Sequence, residues 1–373
     1  MKYRKFGNTG AKVSILGFGA MRLPEIEKEG KFYVEEQKSI ELIQKGFDLG
    51  INYIDTAYPY CHEQSEAVVG KALKGYRDKV YLSTKMPTWL VKKRGDYRRF
   101  LEEQLKKLDV EYIDFYHFHG LNENWFKNVV LKLNLIDEAL KAKEEGLIRH
   151  ISFSFHDSAE VLKEIIDTGV FESFLCQYNI IDTILKKTLA YAVKRGLGIS
   201  VMGPLGGGRI ASFADSSQYK DENIDFISLG LRYVFSNKNI GVALSGMEDI
   251  HMLEKNVEAA DGDISMTPDE SRLVKRIQKD REKLGAIPCT GCNYCMPCPH
   301  DVFIPRIFYW YNYLKVSERD FVAKNRYKEI PEISQYLLAD SCTECGECLE
   351  KCPQKIDIPQ RLKECHKALT QED

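Results

Sequence analysis

The chain has 373 residues, 44% of them hydrophobic and 29% charged, which excludes both a single small module and a wholly disordered chain. Its 53 Lys and Arg against 55 Asp and Glu leave a formal charge of -2, so no global field draws it to nucleic acid or to a membrane surface, and neither is expected as a partner. The start, Met1 to Gly7, has no apolar h-region, and no later stretch reaches the roughly 18 uninterrupted apolar residues of a membrane span, so a soluble cytoplasmic protein is expected.

From residue 1 to about 260, short β-branched or aromatic runs alternate with stretches of helical period. The runs are Ser14–Gly19, Ile51–Asp55, Val80–Lys85, Ile113–His119, His150–Phe155, Phe174–Gln177, Gly198–Met202 and Ile240–Leu244. Helical candidates stand between them at Glu35–Leu49, Glu63–Lys74, Tyr97–Leu108, Leu131–Glu145 and Ser158–Thr168, several ended by a Gly as a C-cap would be. Eight strands alternating with helices predict an α/β chain folded as a (β/α)8 TIM barrel, with a doubly wound open sheet as the alternative. After Ala260 comes Asp-Gly-Asp, and Thr267-Pro268-Asp269-Glu270 predicts a capped helix running to about Leu284. The expected domains are therefore a barrel at 1–262, a linker helix at 263–286, and a smaller, mostly α-helical domain at 287–373. Within the last, the aromatic stretch Ile307–Leu314 reads as helical core.

Only Cys61 and Cys176 fall in the first 288 residues, while nine of the eleven cysteines lie between Cys289 and Cys365. Clustered Cys-x-x-Cys in a chain without a signal segment points to metal or redox chemistry in a reducing compartment. The first motif is Cys289-x-x-Cys292-x-x-Cys295-x-x-Cys298-Pro299, and the second is Cys342-x-x-Cys345-x-x-Cys348-x-x-x-Cys352-Pro353. The bacterial iron–sulfur run reads C-x2-C-x2-C-x3-C-P; the second copy matches it in full and the first is one residue short. Cys298-Pro-x-x-Val-x-Ile-Pro305 echoes Cys352-Pro-x-x-Ile-x-Ile-Pro359, so two 4Fe-4S clusters are expected, with a four-cysteine zinc module as the alternative. The segment resembles the mostly helical two-cluster ferredoxin domains. That resemblance implies crossed ligation, with one cluster on Cys289, Cys292, Cys295 and Cys352 and the other on Cys342, Cys345, Cys348 and Cys298. Cys365 is left over as a buried thiol, and Cys61 is either packed or an exposed thiol.

Barrel active sites gather at the C-terminal ends of the strands, and four polar residues stand there or just beyond: Asp55, Tyr60, Lys85 and His119. Each alone has a plain structural reading as cap, stem or packed ring. Together they form a proton-transfer set, because a Lys ammonium paired with Asp favours tyrosinate and draws a Tyr pKa of about 10 toward neutrality.

The first 260 residues resemble the aldo-keto reductases, barrels that reduce carbonyls with a nicotinamide cofactor. Asp55 and Tyr60 match the family's Asp-Thr-Ala-x-x-Tyr element, Glu66 its following Glu, Lys85 its strand-three Lys, and His119 the His closing the run Asp114-Phe-Tyr-His-Phe-His. His117 is then a strand residue. The same likeness implies that Ser154, Gln177 and Asn179 hold the nicotinamide carboxamide, that Gly203, Pro204, Leu205, Gly206, Gly207 and Gly208 wrap the pyrophosphate, and that Ser245, Gly246 and Asn256 complete the cofactor site. Met202 replaces the Tyr that many relatives stack on the nicotinamide, and Phe155 an Asn. The basic residues that would hold a 2′-phosphate are missing near Ser245-Gly246-Met247, with only His251 and Lys255 close by. NADH is therefore expected to serve at least as well as NADPH, and flavin use stays open.

The resemblance implies an oxidoreductase that moves hydride between NAD(P)(H) and a small carbonyl or alcohol substrate, with clusters that pass electrons to a redox protein partner. Tyr60 is then the acid, His119 orients the carbonyl, and Lys85 with Asp55 tunes Tyr60. The alternative is an electron-transfer or interaction protein whose barrel binds a cofactor or partner without carbonyl turnover.

Overall fold

The computed structural model describes residues 1–28, 31–215, 219, 222, 224–284, 287–289, 291–316 and 320–371. Among the described residues twelve strands occur in chain order: β1 Tyr3–Lys5, β2 Lys12–Ser14, β3 Leu16–Gly19, β4 Glu25–Lys28, β5 Lys31–Val34, β6 Tyr53–Asp55, β7 Tyr81–Met86, β8 Ile113–Leu121, β9 Ile148–Phe155, β10 Ser173–Gln177, β11 Gly198–Met202 and β12 Val242–Ser245. Eight of them, β3 and β6 to β12, pair in parallel and close into a barrel in sequence order, with β12 returning to β3. The open-sheet alternative is thereby excluded, since such a sheet keeps two edges.

The barrel interior is filled rather than hollow. Phe6, Tyr53, Phe115, Leu175, Val242 and Leu244 form one buried cluster, and the Phe6 ring meets Phe115 edge to face at 5.0 Å. Phe6 comes from the bend of the β1–β2 hairpin, which precedes the barrel, and it plugs the end where the strands begin. That plug explains two glycines: a Cβ on Gly198 or Gly241 would lie 2.7 or 2.5 Å from the Phe6 ring. With this end sealed by carbon, the opposite end is left for polar side chains.

The second antiparallel pair, β4–β5, follows the first barrel strand and was not visible in the sequence pattern. Gln64 fastens it to the chain after Tyr60, accepting from Val34 N at 3.1 Å and donating to Phe32 O at 3.2 Å. His62 stacks on Phe32 with centroids 5.8 Å apart.

The expected helices are present, Glu36–Asp48, Ser65–Ala72 and Ala159–Asp167 with shorter ends and Asp96–Leu108 one residue longer at its start, and Ser158 caps Ala159–Asp167 by accepting from Val161 N. The Leu131–Glu145 candidate is divided at Asn134, which takes a left-handed φ of 51° before the helix Leu135–Glu144. Among the described residues no helix is long and apolar enough to cross a membrane.

The chain divides into two compact units, Met1–Pro204 with Leu231–Met266, and Leu205–Gly230 with Thr267–Asp373. The helix Pro268–Leu284 belongs to the second unit; residues 285 and 286, at the end of the expected linker, lie outside the described residues. In the second unit the aromatic stretch lies on the helix Ile304–Val316, with Ile307, Phe308, Trp310 and Tyr311 in a core shared with Ile358, Leu362 and Leu369 of the helix Ile358–Thr370. Both helices open on Ile-Pro, the repeated element after each Cys-Pro. Pro suits the first helical turn because its missing N–H has no acceptor there anyway.

Gly70 provides a test of the barrel's helical layer. A Cβ there would stand 2.2 Å from the Leu108 carbonyl oxygen, a backbone atom that cannot swing aside. Gly70→Ala is expected to lose about 1–3 kcal/mol to overpacking in urea denaturation; a variant as stable as the parent would contradict this packing.

Candidate active site and cluster pockets

Parallel register brings the four strand-end residues together. Asp55 on β6 lies opposite Ser83 on β7, and Lys85 on β7 lies opposite His117 on β8, two residues short of His119. Lys85 is 1% exposed, Asp55 3%, His119 2% and Tyr60 8%. A buried ammonium must direct all three of its hydrogens at acceptors. Lys85 does so, donating to Asp55 Oδ2 at 2.6 Å, to the Thr56 carbonyl at 2.7 Å and to the Tyr60 hydroxyl oxygen at 3.0 Å. Asp55 Oδ1 accepts from Ser83 Oγ at 2.8 Å. Burial pushes the Asp55 carboxyl up and the Lys85 ammonium down from their ordinary values, and each is opposed by the charge of the other.

Tyr60 is carried by a strained turn. The next three residues, Cys61, His62 and Glu63, have φ of 49°, 54° and 66°, a left-handed run that costs L-residues roughly 1–2 kcal/mol each. The Gln64 and His62 contacts with the hairpin hold this turn in place. Cys61 is buried, its Sγ 3.5 Å from Met21 O, and burial pushes its thiol up to about 12, so packing is its role.

His119 faces Tyr60 with ring centroids 6.1 Å apart and near-perpendicular planes, and Trp89 stands 5.0 Å from it on another side. Burial, followed by the Lys85 charge, holds His119 well below the ordinary histidine value, so its imidazole is neutral. His117 lies one pleat deeper and is pushed down to about 3 by the same causes. Behind Lys85 runs a second buried network: Glu66 Oε1 accepts from Thr84 Oγ1 at 2.7 Å and from Gln104 Nε2, which also donates to the Lys85 carbonyl at 3.1 Å, while Tyr116 donates to Gln104 Oε1 at 2.7 Å. This network pins the strand that carries Lys85. Sequence reasoning missed Gln104, Tyr116, Trp89 and His156, the residue after β9 whose imidazole burial lowers to about 4. For His156 the signal was its position one residue past a barrel strand.

The cofactor candidates lie on the next strands. Ser154 Oγ accepts from Gly120 N at 2.6 Å. Gln177, paired in register with Met202, is buried, and among the described residues its Nε2 has no hydrogen-bond partner. Buried polar groups rarely stay unpaired, and an amide donor of this kind matches the oxygen of a nicotinamide carboxamide. Asn179 donates to Gly203 O at 2.8 Å and accepts from Ile181 N at 2.9 Å, fixing the turn at Gly203. That turn needs glycine, having φ of 60° and room for a Cβ only 3.0 Å from Gln177 Nε2. Ser245 Oγ accepts from Asn256 Nδ2 at 3.0 Å. Pro204 ends the first segment of the barrel unit, and Leu205, Gly206, Gly207 and Gly208 open the segment assigned to the second unit, where the three glycines take φ of 61°, 69° and 93°.

In the second unit one pocket is lined by Cys289, Cys292, Cys295 and Cys352 together with Ile304, Phe308 and Ile358. Three thiols thus come from the first motif and one from the trailing Cys-Pro of the second, in a dry wall suited to a cubane. Around Cys348, whose thiol burial raises to about 11, the neighbouring thiols are Cys342, Cys298 and Cys345, again three from one motif and one from the other. Asn312 holds the entry to the first motif, donating to Ile287 O and accepting from Ile287 N, both at 2.8 Å. Cys365 is fully buried.

Residues 15–279 match the model of the Aldo/keto reductase family, and residues 288–356 match that of the 4Fe-4S dicluster domain. Among curated proteins the chain is similar to L-galactose dehydrogenase of Arabidopsis thaliana, 28% identical over 73% of this chain and 92% of that one, and to an uncharacterized oxidoreductase of Bacillus subtilis, 24% identical over 70% and 91%. Among solved structures it resembles an aldo-keto reductase from Bacillus halodurans, with a TM-score of 0.63, 24% identity and coverage of 74% and 96%. It also resembles an aldo/keto reductase from Klebsiella pneumoniae described in complex with NADP and acetate, with a TM-score of 0.61, 23% identity and coverage of 73% and 94%.

The depressed value of His117 has a consequence for stability. The unfolded chain binds a proton near pH 6.5 and the folded one only near 3, so the full stability is present above about 6.5 and is lost progressively as pH falls toward 3. Between pH 8 and pH 5 the parent is expected to lose about 2 kcal/mol more than His117→Gln, read as the difference in denaturation free energy. Equal acid losses in the two proteins would contradict a buried neutral His117.

Proposed function

Since the chain belongs to the aldo/keto reductase family and carries a 4Fe-4S dicluster domain, we propose that its barrel interconverts a small carbonyl and the matching alcohol with a nicotinamide cofactor, while its clusters exchange electrons with a redox protein partner. The three-way donation of Lys85 to Asp55, Thr56 and Tyr60 carries this reading. Because the Tyr60 oxygen accepts from Lys85, its own proton points elsewhere and is the one it can give to a carbonyl oxygen. The tyrosinate left behind stands 3.0 Å from an ammonium that stabilises it. Asp55 balances that ammonium when Tyr60 is neutral. His119, held neutral, orients the carbonyl oxygen through a ring N–H without competing as an acid. When bound, the nicotinamide supplies the hydride that the carbonyl carbon gains.

On this chain Gln177 and Ser154 would take the carboxamide, with Asn179 holding Gly203 and Met202 beside the ring. Gly203, Pro204, Leu205, Gly206, Gly207 and Gly208 would serve the pyrophosphate, and Ser245, Gly246 and Asn256 the rest of the nucleotide. The NADP in the Klebsiella neighbour and the sugar named for the Arabidopsis relative support a nicotinamide cofactor and a small hydroxylated substrate. Clusters, when bound, supply single-electron transfer. Cys289, Cys292, Cys295 and Cys352 would hold one, and Cys342, Cys345, Cys348 and Cys298 the other.

Tyr60→Phe keeps the packed ring and removes the acid. Carbonyl reduction in steady-state assays is expected to fall by roughly 10²–10⁴-fold with nicotinamide binding retained; near-normal turnover would sink the mechanism. For the clusters, anaerobic spectroscopy of Cys298→Ala is expected to show loss of the cluster signal that Cys342→Ala also loses. If instead Cys298→Ala matches Cys289→Ala, each motif closes its own cluster.

A further inference from the structure

The proposed proton transfer uses His119 and leaves a second imidazole at the same end of the barrel, His156, without a task. Alternation along β9 fixes where His156 points. His150 stacks on Phe115 at 4.9 Å, inside the barrel beside Phe6, and Ser152 meets Ser173 of β10 at 2.6 Å. Phe153, between the inward positions, packs on Phe171 and Phe174 on the other face. Ser154 and then His156 continue the inward row. The ladder carries on past the strand end, since His156 N donates to Leu121 O at 3.0 Å. The turn that follows is pinned, because Asp157 accepts from Glu123 N at 3.0 Å and from Ser158 N at 2.8 Å, and Ser158 caps the next helix.

Phe155 lies opposite Cys176, so His156, one step on, stands level with Gln177 of β10, while β8 on its other side carries His119. The imidazole is half-buried. Lys85 acts on both histidines and His156 acts on His119, so the three stand within electrostatic reach of one another. Burial, followed by the Lys85 charge, lowers His156 to about 4, and a neutral imidazole donates through one ring nitrogen and accepts through the other. A hydroxyl, which also donates and accepts, suits such a group; a carboxylate would be desolvated there without a cation of its own. On the β7 side of His119, Trp89 stands 5.0 Å away and offers an apolar ring. One inward step along a strand is two residues, about 7 Å. Two substrate oxygens bonded to His119 and to His156 are then a few ångströms apart, as on adjacent carbons.

We propose that His156 is a specificity-determining residue that hydrogen-bonds a hydroxyl on the carbon next to the reacting carbonyl, so that the barrel selects α-hydroxy carbonyl compounds over the same compounds without the hydroxyl. This rests on the carbonyl reading above and adds to it the residue that reads the substrate beside the reacting carbon.

Lactaldehyde and propanal differ only in that hydroxyl. Their steady-state reduction is compared under anaerobic conditions for the full, cluster-loaded chain, for two apolar variants, His156→Leu and His156→Phe, and for His156→Gln, with nucleotide binding to each protein titrated by fluorescence. The ratio of kcat/KM for lactaldehyde to that for propanal is expected to fall about two- to tenfold in whichever apolar variant folds. It is expected to recover in part in His156→Gln, whose amide both donates and accepts. A ratio equal to that of the parent in the apolar variants, or equal loss of both aldehydes, would overturn the proposal while leaving the carbonyl reading intact. So would weaker nucleotide binding with the ratio kept, which would make His156 a cofactor contact. A parent that binds nucleotide and reduces neither aldehyde would overturn both.

Discussion

One buried ammonium organises the polar end of this barrel. Taking Lys85 out of water costs several kcal/mol, and an ion pair offsets this only when every remaining donor is satisfied. Here the three acceptors come from β6, from the residue just past it and from the following turn. Any slip of β6 against β7 would break the set, so the register at Asp55 and Ser83 is fixed by charge as well as by packing. The same requirement explains the layer behind: Glu66, Gln104 and Tyr116 hold the backbone at Lys85, and thus hold the ammonium from its other side. Tyr60, on its left-handed turn, is placed by this pair and by the Gln64 clamp from the hairpin.

The second unit uses covalent spacing where the barrel uses charge. Each Cys-Pro leads to an Ile-Pro helix, and these helices share one core. The thiols lining the pocket come from both motifs, so the trailing cysteine of each reaches the other's trio. On the proposed crossed ligation, each bound cluster would join the two motifs and so add to the fold, because metal binding and folding are coupled.

What could be read from sequence divides along a physical line. The eight barrel strands were legible because buried parallel strands are runs of apolar residues, and Asp55, Lys85 and His119 were legible because they end such runs. The cysteine motifs needed only local spacing. The hairpin β4–β5 escaped because its strands are only four residues long and Glu25, Glu27, Lys28 and Tyr33 are exposed, which leaves no apolar run. Gln104 and Tyr116 escaped because their polarity faces inward, inside a helix and a strand that look ordinary. The helix Pro268–Leu284 was foreseen as a helix, but nothing in its periodicity told which unit it joins.

The central claim is that Lys85, through its donation to Tyr60, makes the barrel a proton donor to a carbonyl. The most direct measurement is a single-turnover experiment on Lys85→Met, following nicotinamide oxidation on mixing with an aldehyde, in protein shown to bind the nucleotide and to retain its clusters. The account predicts that the variant binds nucleotide and fails to oxidise it at a rate near that of the parent. Oxidation by Lys85→Met at the parent rate would contradict it.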